Sequence, residues 1–382
     1  MKILQVSNIV SHHQLPLSRE LLKIVGEGNF VFAAMQGTDK YREKLGWNVS
    51  SDEEWIINPS VNPTDMEIFE RCWSEFDVVI CGERFFDKML ERVKDNKLCF
   101  YMSERWWKPP VGKLRLLSPS FLKMTLQLRE LSKSRYFHYL PIGPYAALDM
   151  RFICGNKLAM WDWGYFTSLN SNICNKSRLL GPLRVLWAGR MIACKRVGMI
   201  VKAVSVLQKN GVDIELNLIG DGPEANKVRR MADKLLKKNT YSIQGAISAD
   251  KVPCIMAEHN VYVLSSSEYE GWGAVINEAM SVGCAVVSSN GVGAAVSMID
   301  NYVDGILFRQ NEVKELINAI LTLSSDRMLC RNIGVQARKK VEELWSPSLA
   351  AKRLVQVSTD IYTNKAITYY ESGPMSNKYA RK

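Results

Sequence analysis

The sequence predicts an α/β protein made of two successive doubly wound domains, and three observations lead there. At 382 residues the chain is longer than one ordinary core supports. Short apolar runs rich in β-branched and aromatic residues alternate with helical patterns along its length. Runs this apolar are buried on both faces, as parallel strands joined by β-α-β crossovers are.

Taken in order, the strand-like runs of the first half are "KILQVSNIV", "NFVFAAM", "DVVICG", "KLCFYM" and "RYFHYLPIG". Those of the second half are "LRVLWAGR", "DIELNLIG", "TYSIQG", "NVYVLSS" and "CAVVSSN". Between the halves lies "SLNSNICNKSRLLGP", residues 168–182, a polar stretch ending in Gly-Pro. The expected domains are 1–177 and 178–347. In such sheets ligands bind outside the carboxyl ends of the strands, so strand ends are where chemistry is sought.

A hydrophobic fraction of 47% and a charged fraction of 23% are those of a globular chain. No run of eighteen apolar residues is present, which excludes a spanning helix. The opening "MKILQVSNIVS" has no small-residue cleavage site after it and reads as a first strand rather than a signal peptide. Nine cysteines without a C-x-x-C pair argue for free thiols and a cytoplasmic location. The net charge of +11 suggests anionic partners.

Three strand ends of the second half carry unusual residues. In "WAGRMIACKR", Arg190 and Lys195 follow a strand that stops at Gly189. An Arg fork and a Lys point charge at one strand mouth suit a diphosphate, although a solvated helix start explains them as well. In "LIGDGPE", Gly220 and Gly222 permit close backbone approach, Asp221 suits a helix cap and Pro223 a first helical position. An ordinary tight turn accounts for this nearly as well.

The third stretch, "EGWGAVINEAM" at 270–280, sets Glu270 before a turn broken by Gly271 and Gly273, and Glu278 inside the apolar run. An open helix start favours an anion. The two carboxylates would lie roughly 12 Å apart if the span were all helix. Hydrolytic carboxylate pairs sit about 5 to 9.5 Å apart, so an elongated ligand with phosphates and hydroxyls fits better, although one Glu satisfying the helix dipole and another exposed on the helix is the ordinary alternative.

Together, "GRMIACK", "IGDGPE", "SSSEYEGWGAVINEAMSVGCAVVSS" and "GVGAAVSMID…DGILF" resemble the successive motifs of retaining glycosyltransferase family 4, over about residues 183–345. The resemblance implies the GT-B fold, two Rossmann-like domains facing across a cleft. The first would bind the acceptor and the second the nucleotide-sugar. Residues 348–382, beginning in "WSPSLAAKRLVQVSTDIY", would supply a final helix crossing back, followed by a basic tail expected to fray.

By the resemblance, Arg190 and Lys195 hold the donor diphosphate and stabilise the leaving nucleotide. Glu270 lies beside the donor sugar, and Glu278 binds ribose hydroxyls. The amides of Trp272, Gly273 and Ala274 hold phosphate oxygens beside Gly271, while Asp221 and Gly222 flank the nucleotide. The family uses no metal and no cofactor. In accord, the sequence has no D-x-D and no clustered His or Cys ligand set. A UDP-sugar is the favoured donor, a GDP-sugar the next.

The first half departs from the family. Its first loop, "SNIVSHHQLP", lacks glycine, and "SERWWKPP" stands where many members carry a His. His13, Glu104 and Arg105 are the acceptor-side candidates. "SERWWKPP", "PYAALDM" and "WDWGYF" resemble a subgroup of capsular and exopolysaccharide enzymes, which implies a glycan or lipid-linked acceptor.

Residues 105–135 hold eight cations and one acid, mixed with Trp106, Trp107, Leu114, Leu116, Leu117, Phe121, Leu122, Met124, Leu126 and Leu128. That mixture suits an anionic membrane surface, with peripheral attachment at the inner face of the plasma membrane. An ordinary core-facing helix with a basic outer face is the competing reading. An NAD-dependent oxidoreductase needs G-x-G-x-x-G after the first strand, and none is there. A non-catalytic partner subunit is disfavoured by the intact Arg190, Lys195, Glu270 and Glu278. No nucleic-acid-binding module is recognisable.

Overall fold

Parallel strands need crossovers, and the chain supplies a helix between most of its strands. The computed structural model describes residues 1–36, 53–108, 111–169 and 179–379. Among them, the first sheet is formed by β1 (Ile3–Ser7), β2 (Phe30–Ala34), β3 (Ile56–Ile57), β4 (Val78–Cys81), β5 (Leu98–Ser103), β6 (Phe137–Pro141) and β7 (Ala159–Met160). Its order is β3-β2-β1-β4-β5-β6-β7, all parallel.

The helices of this part are α1 (Leu15–Val25), α2 (Pro63–Glu75), α3 (Phe86–Lys94), α4 (Pro119–Leu131) and α5 (Pro144–Cys154). Proline stands in the first turn of α1, α2, α4 and α5, where its missing N–H costs no hydrogen bond. Asn62 caps α2 by accepting the Thr64 N–H at 3.0 Å. Gly26, at φ 85°, ends α1 in a conformation other residues rarely adopt.

The second sheet contains β8 (Leu183–Ala188), β9 (Ile214–Ile219), β10 (Tyr241–Gln244), β11 (Val261–Leu264), β12 (Ala285–Ser289) and β13 (Ile306–Phe308). Its order is β10-β9-β8-β11-β12-β13, again all parallel. Around it lie α6 (Val197–Lys209), α7 (Ala225–Leu235), α8 (Val252–Ala257), α9 (Val275–Ser281), α10 (Gly293–Met298), α11 (Val313–Ser325) and α12 (Arg327–Glu343). The fold is the α/β class expected, two Rossmann-like domains of seven and six strands.

The described chain forms two compact units. One runs to Ser168 and resumes at Leu344; the other spans Leu169–Glu343. The expected boundary at residue 177 lies outside the described residues. From Leu344 the chain returns to the first unit through α13 (Pro347–Tyr362), which packs on α1. The Tyr362 hydroxyl accepts the Leu98 N–H at 2.9 Å, and Arg135 donates to the Ile361 carbonyl at 3.1 Å.

Residues 371–379 do not fray as expected. Met375 is fully buried, and its N–H donates to Asp162 O at 2.8 Å while Asp162 N–H donates to Ser376 O at 3.0 Å. The tail thereby pairs with backbone just beyond the edge strand β7, which otherwise exposes unpaired groups.

In the stretch 105–135 the apolar residues divide between core and surface. Trp106, Trp107, Phe121 and Leu128 are core residues, at most 5% exposed. Arg105, Lys108, Lys123 and Lys133 form ion pairs with Asp149, Glu104, Asp87 and Glu130. Arg129 and Arg135 donate to backbone carbonyls. The charge surplus is therefore answered in part within the fold, while Leu114, Leu117, Leu122 and Leu126 remain half exposed or more.

Candidate functional site

In the second unit the loops after β8, β9 and β11 meet at the carboxyl ends of the strands. A Cβ on Gly220 would lie 1.8 Å from the Gly189 carbonyl oxygen, and one on Gly222 would lie 2.5 Å from that of Met191. Met191 N–H donates to Asp221 O at 2.8 Å, and Glu224 N–H to Met191 O at 3.0 Å. Both glycines thus serve the close approach of one loop to another. Asp221 does not cap a helix as expected: its side chain accepts the Gly222 N–H at 2.7 Å, and α7 begins only at Ala225. Pro223 accordingly lies ahead of the first helical position.

The Ala193–Lys195 stretch is one short 3-10 turn, held from the β11 side. The Ser265 hydroxyl donates to the carbonyls of Lys195 and Arg196 at 2.9 and 3.1 Å. Ser267 N–H donates to Cys194 O at 2.9 Å. This stitching brings Lys195 Nζ onto Glu270 Oε1 as an ion pair whose side chains are only 14% and 8% exposed. The second carboxylate oxygen of Glu270, Oε2, is buried with no hydrogen-bond partner. Arg190, at the end of the same strand, is exposed.

Gly271 and Gly273 stand at φ 83° and 82°, and a Cβ on Gly273 would press 2.7 Å from Val292 Cγ1. Trp272 is fully buried, its indole N–H donating to Asn277 Oδ1 at 2.9 Å. The turn is locked to the next loop by Gly293 N–H to Gly271 O and Ala294 N–H to Trp272 O, at 3.0 and 2.8 Å. Only at Val275 does α9 begin, preceded by Ala274 with no side-chain cap. The helical estimate of the Glu270–Glu278 span therefore does not apply. Glu278 is buried in the first turn of α9. Tyr262 is fully buried beneath; desolvation holds its pKa well above the usual tyrosine value, and the charges of Glu270 and Glu278 push it the same way.

In the first unit, Arg105 is held in an ion pair. Its guanidinium meets Asp149 at 3.0 and 3.2 Å, and the same carboxylate accepts the N–H groups of Trp106 and Trp107 at 2.9 and 3.3 Å. This buried pair positions the loop after β5. Glu104 pairs with Lys108 and accepts the Tyr165 hydroxyl at 3.3 Å. His13 stacks 6.1 Å from the Tyr165 ring, and its carbonyl accepts the Phe166 N–H at 3.4 Å. Tyr165, Asp149, Ser265 and Ser267 were not singled out in the sequence, because their hydrogen-bond partners lie from 61 to 73 residues away, or 44 for Asp149.

Residues 173–340 match the family model "Glycosyl transferases group 1". Among solved structures, HepE of Anabaena in complex with UDP is similar at 17% identity and TM-score 0.68, over 94% of this chain and all of that one. Sucrose-phosphate synthase of Thermosynechococcus elongatus is similar at 15% and 0.66, over 96% of this chain and all of that one. These likenesses show the fold, which is the GT-B class.

Among curated proteins, the amylovoran biosynthesis glycosyltransferase AmsK of Erwinia amylovora is 27% identical over 49% of this chain and 47% of its own. The poly(glycerol-phosphate) alpha-glucosyltransferase of Bacillus subtilis is 25% identical over 42% of this chain and 23% of its own. The matched part spans less than half the length of these relatives.

Proposed function

We propose that this protein is a retaining glycosyltransferase. It moves a hexose-type sugar from a nucleotide-sugar, UDP-linked before GDP-linked, to a glycan or lipid-linked acceptor in bacterial surface polysaccharide assembly. The observation that carries this reading is the buried Lys195–Glu270 pair with the unanswered Glu270 Oε2, set beside the two-glycine turn. A donor sugar hydroxyl supplies the proton donor Oε2 lacks, and the donor diphosphate competes for the Lys195 ammonium. The match to group 1 glycosyl transferases supports the class, and the UDP complex of HepE supports the base. AmsK, by its name, supports the polysaccharide pathway.

In this reading Arg190 and Lys195 take up charge as the nucleotide leaves, so no metal is required. The test is turnover of a panel of UDP- and GDP-sugars, with and without chelator. Lys195→Ala is expected to lose roughly 100- to 1000-fold in rate, the usual cost of one charge-stabilising group. No turnover of any donor by the wild type, or full activity in Lys195→Ala, sinks the assignment. Dependence on added Mg²⁺ or Mn²⁺ overturns the metal-free part alone.

Peripheral membrane attachment belongs to the same proposal. No described helix is long and apolar enough to cross a membrane. Leu114, Leu117, Leu122 and Leu126 are exposed beside Lys113 and Lys123, a mixture suited to an anionic lipid surface. Leu117→Glu with Leu122→Glu should abolish co-sedimentation with anionic liposomes. Unchanged sedimentation would leave these residues as plain surface.

A further inference from the structure

In the first sheet the strand order reverses between β1 and β4. An open parallel sheet has its ligand crevice at such a reversal, outside the carboxyl ends of the strands. A pocket of about 230 Å³ lies there, lined by Ser7 and Asn8 after β1, Glu83 and Arg84 after β4, Glu104, and Tyr165. It falls below the roughly 300 to 1,000 Å³ of pockets that take drug-sized ligands, so it suits a single small unit.

Its chemistry is unlike that of a phosphate site. The loop after β1 has no glycine, and Gln14, just before α1, is tied to Ser7 Oγ at 2.7 Å. Two carboxylates, Glu83 and Glu104, and two guanidiniums, Arg84 and Arg105, line the pocket, with Arg105 committed to Asp149 and Glu104 to Lys108. Arg84 spreads over the Trp106 ring at 5.2 Å.

Glu83 stands apart. Among the described residues its carboxylate has no hydrogen bond and no ion pair, although it is partly buried. Burial pushes its pKa up, with Arg84 opposing. A carboxylate is an acceptor only, so what it lacks is a donor such as a hydroxyl.

We propose that this pocket holds one uncharged, hydroxyl-rich sugar unit of the acceptor, and that Glu83 is its specificity-determining residue. This rests on the glycosyl-transfer reading and deepens it. The acceptor presents a neutral sugar here and no phosphate. Ser7, Asn8 and the Arg84 guanidinium supply further polar contacts around the ring.

The test titrates the full chain with methyl glucoside, methyl galactoside and methyl mannoside, with glucose 6-phosphate and glycerol 3-phosphate, and separately with UDP and GDP. Binding is read by saturation-transfer NMR. At least one neutral glycoside should bind, and the two phosphates should bind more weakly. Glu83→Ala should weaken the glycoside about tenfold or more, as expected for a hydrogen bond to a charged group. Glu83→Gln should recover part of that loss. Nucleotide binding should be unaltered and the melting temperature not lowered, since the Glu83 carboxylate supports no neighbour.

Phosphates binding at least as tightly, no neutral glycoside binding, or a Glu83→Ala variant indistinguishable from wild type overturns the proposal. Failure of both nucleotides to bind, together with no turnover of any donor, instead defeats the transfer reading, whatever the glycoside result.

Discussion

Glu270 uses one carboxylate oxygen on Lys195 and buries the other without a partner. An unsatisfied buried acceptor costs about 1 to 3 kcal/mol, so the ligand-free protein carries a cost that a correctly placed hydroxyl removes. Glu270→Gln keeps the shape and removes the charge. We expect a large fall in kcat with a modest change in donor KM, the pattern of a contact made mainly in the transition state. A raised KM at unchanged kcat would make Glu270 a binding residue only. The two glutamates were legible in the sequence because they share one short stretch. The pairing of Glu270 with Lys195 was not, because 75 residues separate them and the Ser265 and Ser267 hydrogen bonds that hold the Lys195 turn leave no mark in the sequence.

The loops after β8 and β9 act as one piece through the Gly220–Gly189 and Gly222–Met191 approaches. Gly220→Ala must push these backbones apart and also strains a φ of 131°. We expect lower stability, by on the order of 1 to 3 kcal/mol, together with weaker nucleotide binding, since Arg190 rides on the displaced loop. A variant with wild-type melting and affinity would show the loops to be independent. Each of the ten strand-like runs read in the sequence contains a strand, because strands buried on both faces need long apolar runs, the half-exposed edge strand β10 being the exception. The strands that escaped, β3, β7 and β13, have two or three residues and pair along one side only, so they leave no pattern to read.

Taken whole, the molecule carries two buried groups in the first unit whose pH effects oppose each other. His138 is neutral: Nδ1 accepts the Trp161 indole N–H at 3.1 Å and Nε2 donates to Arg135 O at 3.0 Å. Burial lowers its pKa to about 4, so its contribution is present above about 6.5 and is lost as pH falls through 4. Burial raises Asp162 to about 6, so its contribution is full below about 3.8 and is lost as pH rises through 6. Asp162→Asn should therefore stabilise the protein at pH 7.5, by on the order of 2 to 3 kcal/mol, and change little at pH 4. It should also steepen the loss of stability below pH 6.5, where one group opposing His138 is gone. Denaturant melts across that range check this, and parallel curves for the two proteins would refute it.

The return of the chain at Leu344 also dictates an order of events during synthesis. Residues 169–343 are continuous, so that unit has its whole sequence as soon as Glu343 has left the ribosome. The first unit, begun earlier, is still without α13 and the segment that pairs with Asp162. The half made first is therefore completed last, and its α1 face stays uncovered while the remainder is translated. A chain truncated after residue 343 should yield a protease-resistant fragment from the later half and none from the earlier one.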